Sequence, residues 1–452
     1  MSIFSARLKK KQDLPEAIAP ASNIHKGRKQ KRPADKGLNE NFLKDFFWSL
    51  LSSILWPIWQ PIQNRILTAS WPVRVGFTGI VGLLVFSGVH PSKMWETIEV
   101  AGRLPMAMTH RTTLPISPSQ HQQLDSAITE VSEKLGAVFS QMDAPDPNHN
   151  SWTMAQVTIS TRGLSAQGDP QKVGTALRKK ANGCKCWKQN PTDPFPHIDS
   201  TNWTLLALGA LSGSIDESDI NSLVAAQNPT GWWPPFVGVW SESNASVASK
   251  DPENASTYST AMAVEVLQNL LSRSSVDGNP TLKSKIKSAV GLGVQWLISK
   301  QEHARWKDFP NSSSGSMEPL GLAGLVLHVL HHTNHDLPDL DKEWLDKLPD
   351  DKLGAQEWEA NAYPVIVNDK REFVKDSVRH LRLPWAIVAT CDAYHNGSIA
   401  QRMRALSWVG TRAPDFLTEE QKIPLDKPFV SAELLIALRY LRGDSVYGYR
   451  VF

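Results

Sequence analysis

Cysteine is scarce in this sequence. Cys184, Cys186 and Cys391 are the only three in 452 residues, too few for a disulfide scaffold. Net charge is small as well, +3 overall, which excludes a nucleic-acid binder held by a broad basic surface. There is no Gly-rich phosphate loop, no Gly–x–Ser–x–Gly elbow and no His–Glu–x–x–His. The chain is therefore not an ordinary nucleotide-binding protein, serine hydrolase or zinc protease.

The small net charge conceals an asymmetry. Residues 1–45 carry eleven Lys and Arg, so the remainder is slightly acidic. Residues 1–40 are polar and basic and are expected to form a disordered arm. Residues 41–92 are expected to meet a membrane. The run 75–92, VGFTGIVGLLVFSGVHPS, is apolar and close to the length of a span, with Trp71 and Arg74 as interfacial flanks. The run 46–64 contains Pro57 and Pro61 and has its apolar residues at helical spacing, which suits an interfacial helix. One span leaves the basic arm cytoplasmic at the plasma (inner) membrane and the following domain outside. If 46–64 also crosses, that domain faces the cytoplasm. Residues 93–116 read as a linker.

From residue 117 a two-helix unit repeats. Five helical runs, apolar on nearly every side, begin near Asp199, Tyr258, Glu318, Arg379 and Glu433, at intervals of 59, 60, 61 and 54 residues. Amphipathic runs at 170–181, 216–226, 281–300, 339–347 and 398–409 lie between them, and a helix at 119–140 opens a sixth pair. Seventeen tryptophans are more than chance gives, and several sit in the turns leaving the amphipathic helices. QNPTGWW at 227–233 has the Gln–x–x–x–Gly–x–Trp form. WLISKQEHARW at 296–306 has it except for Arg305 in the glycine region, and NGCKCW at 182–187 keeps the glycine and tryptophan.

Those turns, in register with the helical repeat, resemble the QW repeats of the terpenoid-cyclase/protein-prenyltransferase superfamily over about residues 117–452. The resemblance implies an all-α (α/α)6 toroid of inner and outer helices. Trp187, Gln227, Gly231, Trp232, Trp233, Gln301 and Trp306 would be its structural QW-type residues, with Trp232 and Trp306 in equivalent places. It implies a fold and not a reaction. The Cys–Gly–Glu–Gln thioester of complement-like toroids is absent.

In such a ring the starts of parallel inner helices gather at one rim. HIDSTNW can be laid over the acidic DxDDTA motif of class II cyclases, with Asp199 at the general-acid position and His197 and Ser200 at the flanks. Both flanking carboxylates are missing, and Asp199 or Ser200 serves equally as the N-cap of the helix. Arg379, His380 and Arg382 can bind an anion or form ion-paired caps with Glu318 and Glu433. Trp203, Tyr258 and Trp385 can face a cation or simply pack. His328, His331, His332 and His335 lie at the end of a helix, where capping its C-terminal dipole is favoured over a metal.

No cofactor is expected, zinc at Cys184, Cys186 and His197 being the one alternative. The functional expectation is a membrane-anchored binding module for a protein, peptide or lipid, in contact with membrane lipid and not with nucleic acid. The alternative is an isoprenoid- or lipid-processing enzyme with Asp199 as general acid. A sealed apolar chamber favours the enzyme, and a plugged or open centre the module.

Overall fold

A computed structural model describes most residues from 118 to 444, with breaks chiefly at 141–149, 190–195, 212–214, 237–239, 312–319, 349–356, 375–378 and 420–426. The basic arm, both apolar runs, the 93–116 linker, Cys184 and Glu318 lie outside the described residues. No helix among the described residues is long and apolar enough to cross a membrane.

The described part is helical, in keeping with an all-α chain. Twelve helices of nine or more residues follow one another: α1 Pro118–Phe139, α2 Ser151–Thr161, α3 Pro170–Lys179, α4 Ile198–Ala210, α5 Glu217–Ala225, α6 Thr257–Leu271, α7 Pro280–Ser299, α8 Leu320–His332, α9 Pro338–Lys347, α10 Arg382–Asn396, α11 Ile399–Glu419 and α12 Pro428–Arg442. Local chemistry sets their ends. Asn150, Asp169, Ser256 and Asn279 cap α2, α3, α6 and α7 by accepting backbone N–H groups. Proline occupies the first turn of α3 and α7, where its missing N–H costs nothing. Gly443, in the left-handed region, ends α12.

The even-numbered helices are buried on every side. All of α2 is solvent-excluded, and so is α4 apart from Asp199. The same holds for residues 321–331 of α8, 384–394 of α10 and 430–441 of α12. Each even-numbered helix packs on the next, α2 on α4, α4 on α6, α6 on α8, α8 on α10 and α10 on α12, and α12 returns to α2. Gly324 permits one close approach, since a Cβ there would stand 2.6 Å from the Trp385 carbonyl of α10. The odd-numbered helices are amphipathic partners. On α7, Ile286, Val290, Val294 and Leu297 are buried while the lysines point out.

Two patches of short antiparallel strand interrupt the helices. β1 Trp240–Glu242, β2 Ala245–Val247, β4 Tyr363–Val367 and β5 Lys370–Val374 pair in the order β1-β2-β4-β5. β3 Glu357–Glu359 pairs with β6 Arg379–Leu381.

The tryptophan turns recur three times with the same bonds. The indole N–H groups of Trp187, Trp233 and Trp306 donate to the Leu177, Leu223 and Leu297 carbonyls at the ends of α3, α5 and α7, each at 2.8 Å. The residue two places earlier has positive φ in every case: Lys185, Gly231 and Ala304. The same turns reach neighbouring inner helices. The backbone N–H groups of Trp187 and Trp233 donate to Thr201 and Thr260 Oγ1, in α4 and α6. Ser151 Oγ donates to the Lys188 carbonyl, Ile198 N–H to that of Pro235, and Thr257 N–H to that of Asp308. Each turn thus ties its own outer helix to an inner helix start. The equivalent of Trp306 is therefore Trp233 and not Trp232. The 301–306 turn is one residue shorter than 227–233, which puts Trp232 in the place of Arg305.

Candidate functional site

The described residues singled out at the rim lie at the start or in the first two turns of inner helices, or on the strand before α10. His197 is the N-cap of α4, and its side chain makes no capping bond. Asp199 lies in the first turn, so neither it nor Ser200 is the N-cap. Asp199 is half-buried, whereas Trp203, Tyr258 and Glu433 are buried. The Trp203 indole N–H donates to Tyr258 Oη at 3.3 Å, and Tyr258 is also hydrogen-bonded to Asp199. Burial first, then the neighbouring carboxyl groups of Asp199 and Glu433, push the Tyr258 phenol well above its ordinary range. It stays a neutral donor at any physiological pH.

Asp199, Tyr258 and Glu433 come from α4, α6 and α12. α6 and α12 do not follow one another among the inner helices, yet Glu433 lies near enough to Tyr258 to act electrostatically on its phenol. These three residues, with Trp203, form one polar cluster whose partly exposed member is Asp199. The backbone of Arg379 and His380 runs in β6, which packs against α12, and Arg382 opens α10. Trp385 takes a different neighbour. Its ring centroid is 6.2 Å from that of His328, which groups it with a second cluster farther along the helices.

That second cluster involves residues the sequence reading passed over, Glu265 and Asp392. His328 Nδ1 is 2.6 Å from Asp392 Oδ2, and its Nε2 is 3.7 Å from Glu265 Oε1. His332 Nδ1 lies 3.2 Å from both Glu265 oxygens. The Tyr440 ring meets His328 edge-on at 5.6 Å. Burial alone would lower the His328 imidazole, but the Asp392 and Glu265 carboxylates beside it raise it to about 10. The same pairing overcomes burial and lowers both carboxyl groups. His331 turns outward to Asp341 of α9 at 3.1 Å. Three of the four histidines therefore pair with carboxylates instead of capping α8. His335 bonds backbone near the helix end, at the Thr333 carbonyl. The signal in the sequence is a single carboxylate in each of two largely apolar inner runs, since a buried charge needs a partner.

The remaining candidates are structural. Gln227 Nε2 donates to the Gly231 and Ala289 carbonyls, joining its turn to α7. Gln301 Oε1 accepts from Ala304 N–H at 3.4 Å. Trp232 lines a surface groove with Asn228, Thr230, Trp296 and Asn311. Cys186 is in a disulfide and Cys391 is a buried free thiol, so Cys186 has no thiolate to give a zinc ion. No protein-family model matches the chain, and no curated protein matches it.

Proposed function

We propose that residues 117–452 form an (α/α)6 toroid of the terpenoid-cyclase/prenyltransferase type, serving as a membrane-anchored, non-catalytic binding module. Its mouth, at Asp199, Tyr258 and Glu433, receives a group from a protein, peptide or lipid. The observation that carries this reading is the solvent exclusion of the inner helices. A chamber able to hold an isoprenoid would leave its wall residues with accessible surface, and the described residues of the inner helices have almost none. His328 of α8 reaches Tyr440 of α12, a helix that is not its neighbour, so side chains fill the middle at that level. Charged residues in that filling are unsuited to an apolar substrate.

The competing reading is an isoprenoid- or lipid-processing enzyme with Asp199 as general acid. It is favoured by the Asp199–Tyr258 hydrogen bond and by Glu433, which brings a second carboxyl group near Tyr258 in place of the missing flanks. Full-length protein in detergent, incubated with squalene, oxidosqualene and farnesyl diphosphate, is expected to yield no product by mass spectrometry. A photo-crosslinking residue at 199 should capture a discrete partner in membranes, and one at Glu133 on α1 should not. Product formation that Asp199→Asn abolishes would overturn the module in favour of the enzyme.

A further inference from the structure

Glu265, His328, His332 and Asp392 take no part in the mouth, and the first three form a group of side chains, among the described residues, close enough to share a metal ion. One ligand atom from each of Glu265, His328 and His332 lies within 4.8 Å of the other two. His328 and His332 are four residues apart on α8, which puts both rings on one face, and Glu265 approaches from α6. Glu265 Oε1 stands 3.7 Å from His328 Nε2 and 3.2 Å from His332 Nδ1. A tetrahedral zinc ion with bonds of about 2.0–2.1 Å holds its ligand atoms roughly 3.4 Å apart, and the two separations bracket that value.

Charge balance points the same way. Ionised Glu265 and Asp392 bring two negative charges into a buried space. Two protons on the imidazoles would neutralise them, but the ring centroids are only 4.0 Å apart. Like charges at that distance repel strongly where water is excluded. One divalent cation balances both carboxylates. Two imidazoles and a carboxylate form a zinc donor set. With Nε2 facing Glu265, His328 holds its other nitrogen 2.6 Å from Asp392. That arrangement fixes the tautomer and orientation of a metal-bound histidine. The His332 side chain is 16% exposed while those of Glu265 and His328 are closed off, so an ion has a way in at the His332 side.

We infer that Glu265, His328 and His332 bind one divalent transition-metal ion of the zinc class, with Asp392 as the positioning residue behind His328. The ion would pin α6, α8 and α10 together near the middle of the cycle. This site shares no residue with the mouth and stands or falls separately from it.

The test uses the full-length chain in detergent, stripped with chelator, reloaded with zinc and passed through a desalting column. Elemental analysis should give one zinc per chain. Cobalt in its place should produce the visible d–d bands of a low-coordinate site. Glu265→Gln and His332→Gln should each lose the ion after desalting. Asp392→Asn should still fill at saturation, with affinity weakened about 10–100-fold. A wild-type chain that retains no zinc and shows no cobalt bands overturns the inference without reference to any variant. So does a His332→Gln chain that keeps its zinc undiminished.

Discussion

Trp233→Phe separates a tryptophan that latches two helices from one that merely fills a turn. The Trp233 indole is fully buried. It abuts α7 at Gly293, where even a Cβ would stand 3.1 Å from the ring. Phenylalanine keeps an aromatic ring there but loses the bond to the Leu223 carbonyl at 2.8 Å. An acceptor left without its donor costs about 1–3 kcal/mol, and the smaller ring leaves a void worth roughly 1 kcal/mol more. The sum, about 2–4 kcal/mol, lowers the melting midpoint by about 4–8 °C, taking the low end of the usual conversion for so large a domain. Trp187→Phe and Trp306→Phe remove the same bond from α3 and α7 and should fall in the same range. Trp232→Phe removes no such latch and should stay within about 1 kcal/mol. Urea titrations followed by far-UV circular dichroism would rank the four variants. If Trp232→Phe costs as much as Trp233→Phe, the three-turn equivalence is mistaken.

Gly231→Ala should be far more damaging than Gly163→Ala, although both glycines have positive φ. The new Cβ would stand 2.3 Å from the Leu292 carbonyl at position 231 and meets nothing within 4 Å at 163. Position 163 should lose only the left-handed strain of about 1–2 kcal/mol, and equal losses in urea titrations would contradict the packing. Asp444 supplies a pH dependence. Burial alone would raise its carboxyl, but Arg442 and Arg439 outweigh that and lower it. A lowered carboxyl stabilises the fold above its unfolded value of about 3.9 and loses that stabilisation as pH falls through the folded value. The melting difference between wild type and Asp444→Asn should therefore be greatest near neutrality and close on acidification; a constant gap would exclude the ion pairing as its cause. A chain beginning near residue 115 should remain in solution without detergent, and pelleting with membranes as completely as the full chain would refute the proposed anchor.

Much of the helical order was legible because packing leaves a periodic trace. An inner helix surrounded by other helices must be apolar all round, so the runs near Asp199, Tyr258 and Glu433 stand out in the sequence at near-equal spacing. The outer helices are amphipathic for the complementary reason. α2 was harder to see, since SWTMAQVTIST mixes hydroxyls and an amide into a fully buried helix. Three of those hydroxyls are satisfied within the helix, as Thr158, Ser160 and Thr161 donate to carbonyls three or four residues back, and Ser151 donates to the Lys188 carbonyl. The turn motif was found but its register was not. Adjacent tryptophans at 232 and 233 look alike in a string of letters, and only the positive φ two residues earlier, shared by Lys185, Gly231 and Ala304, identifies the one that latches. The second cluster was missed because its members are about one repeat apart in the chain. Glu265, His328 and Asp392 meet only through the packing of successive inner helices.

The direction of the inner helices gives the two clusters a common electrostatic basis. In the proposed ring the starts of α2, α4 and α6 are tied by the same kind of turn. The last turns of α12 and α2 are joined by Arg439, whose Nη1 donates to the Ser160 carbonyl at 2.7 Å. Helices running the same way add their dipoles, positive at the starts and negative at the ends. Carboxyl groups are thus favoured near the starts, where Asp199 lies in the first turn and Glu433 in the second, and a bound cation toward the ends, where the Glu265, His328 and His332 group stands. A ring handling diphosphates would keep its positive end open for the substrate. Here two carboxyl groups already occupy that end beside the Tyr258 phenol, so an added phosphate would find acceptors where it needs donors. The proposed mouth is better matched to a cationic or hydrogen-bond-donating group, such as a lysine of a peptide or the amine of a lipid headgroup. That match separates it from prenyl-diphosphate chemistry even if the ring itself belongs to the same architecture.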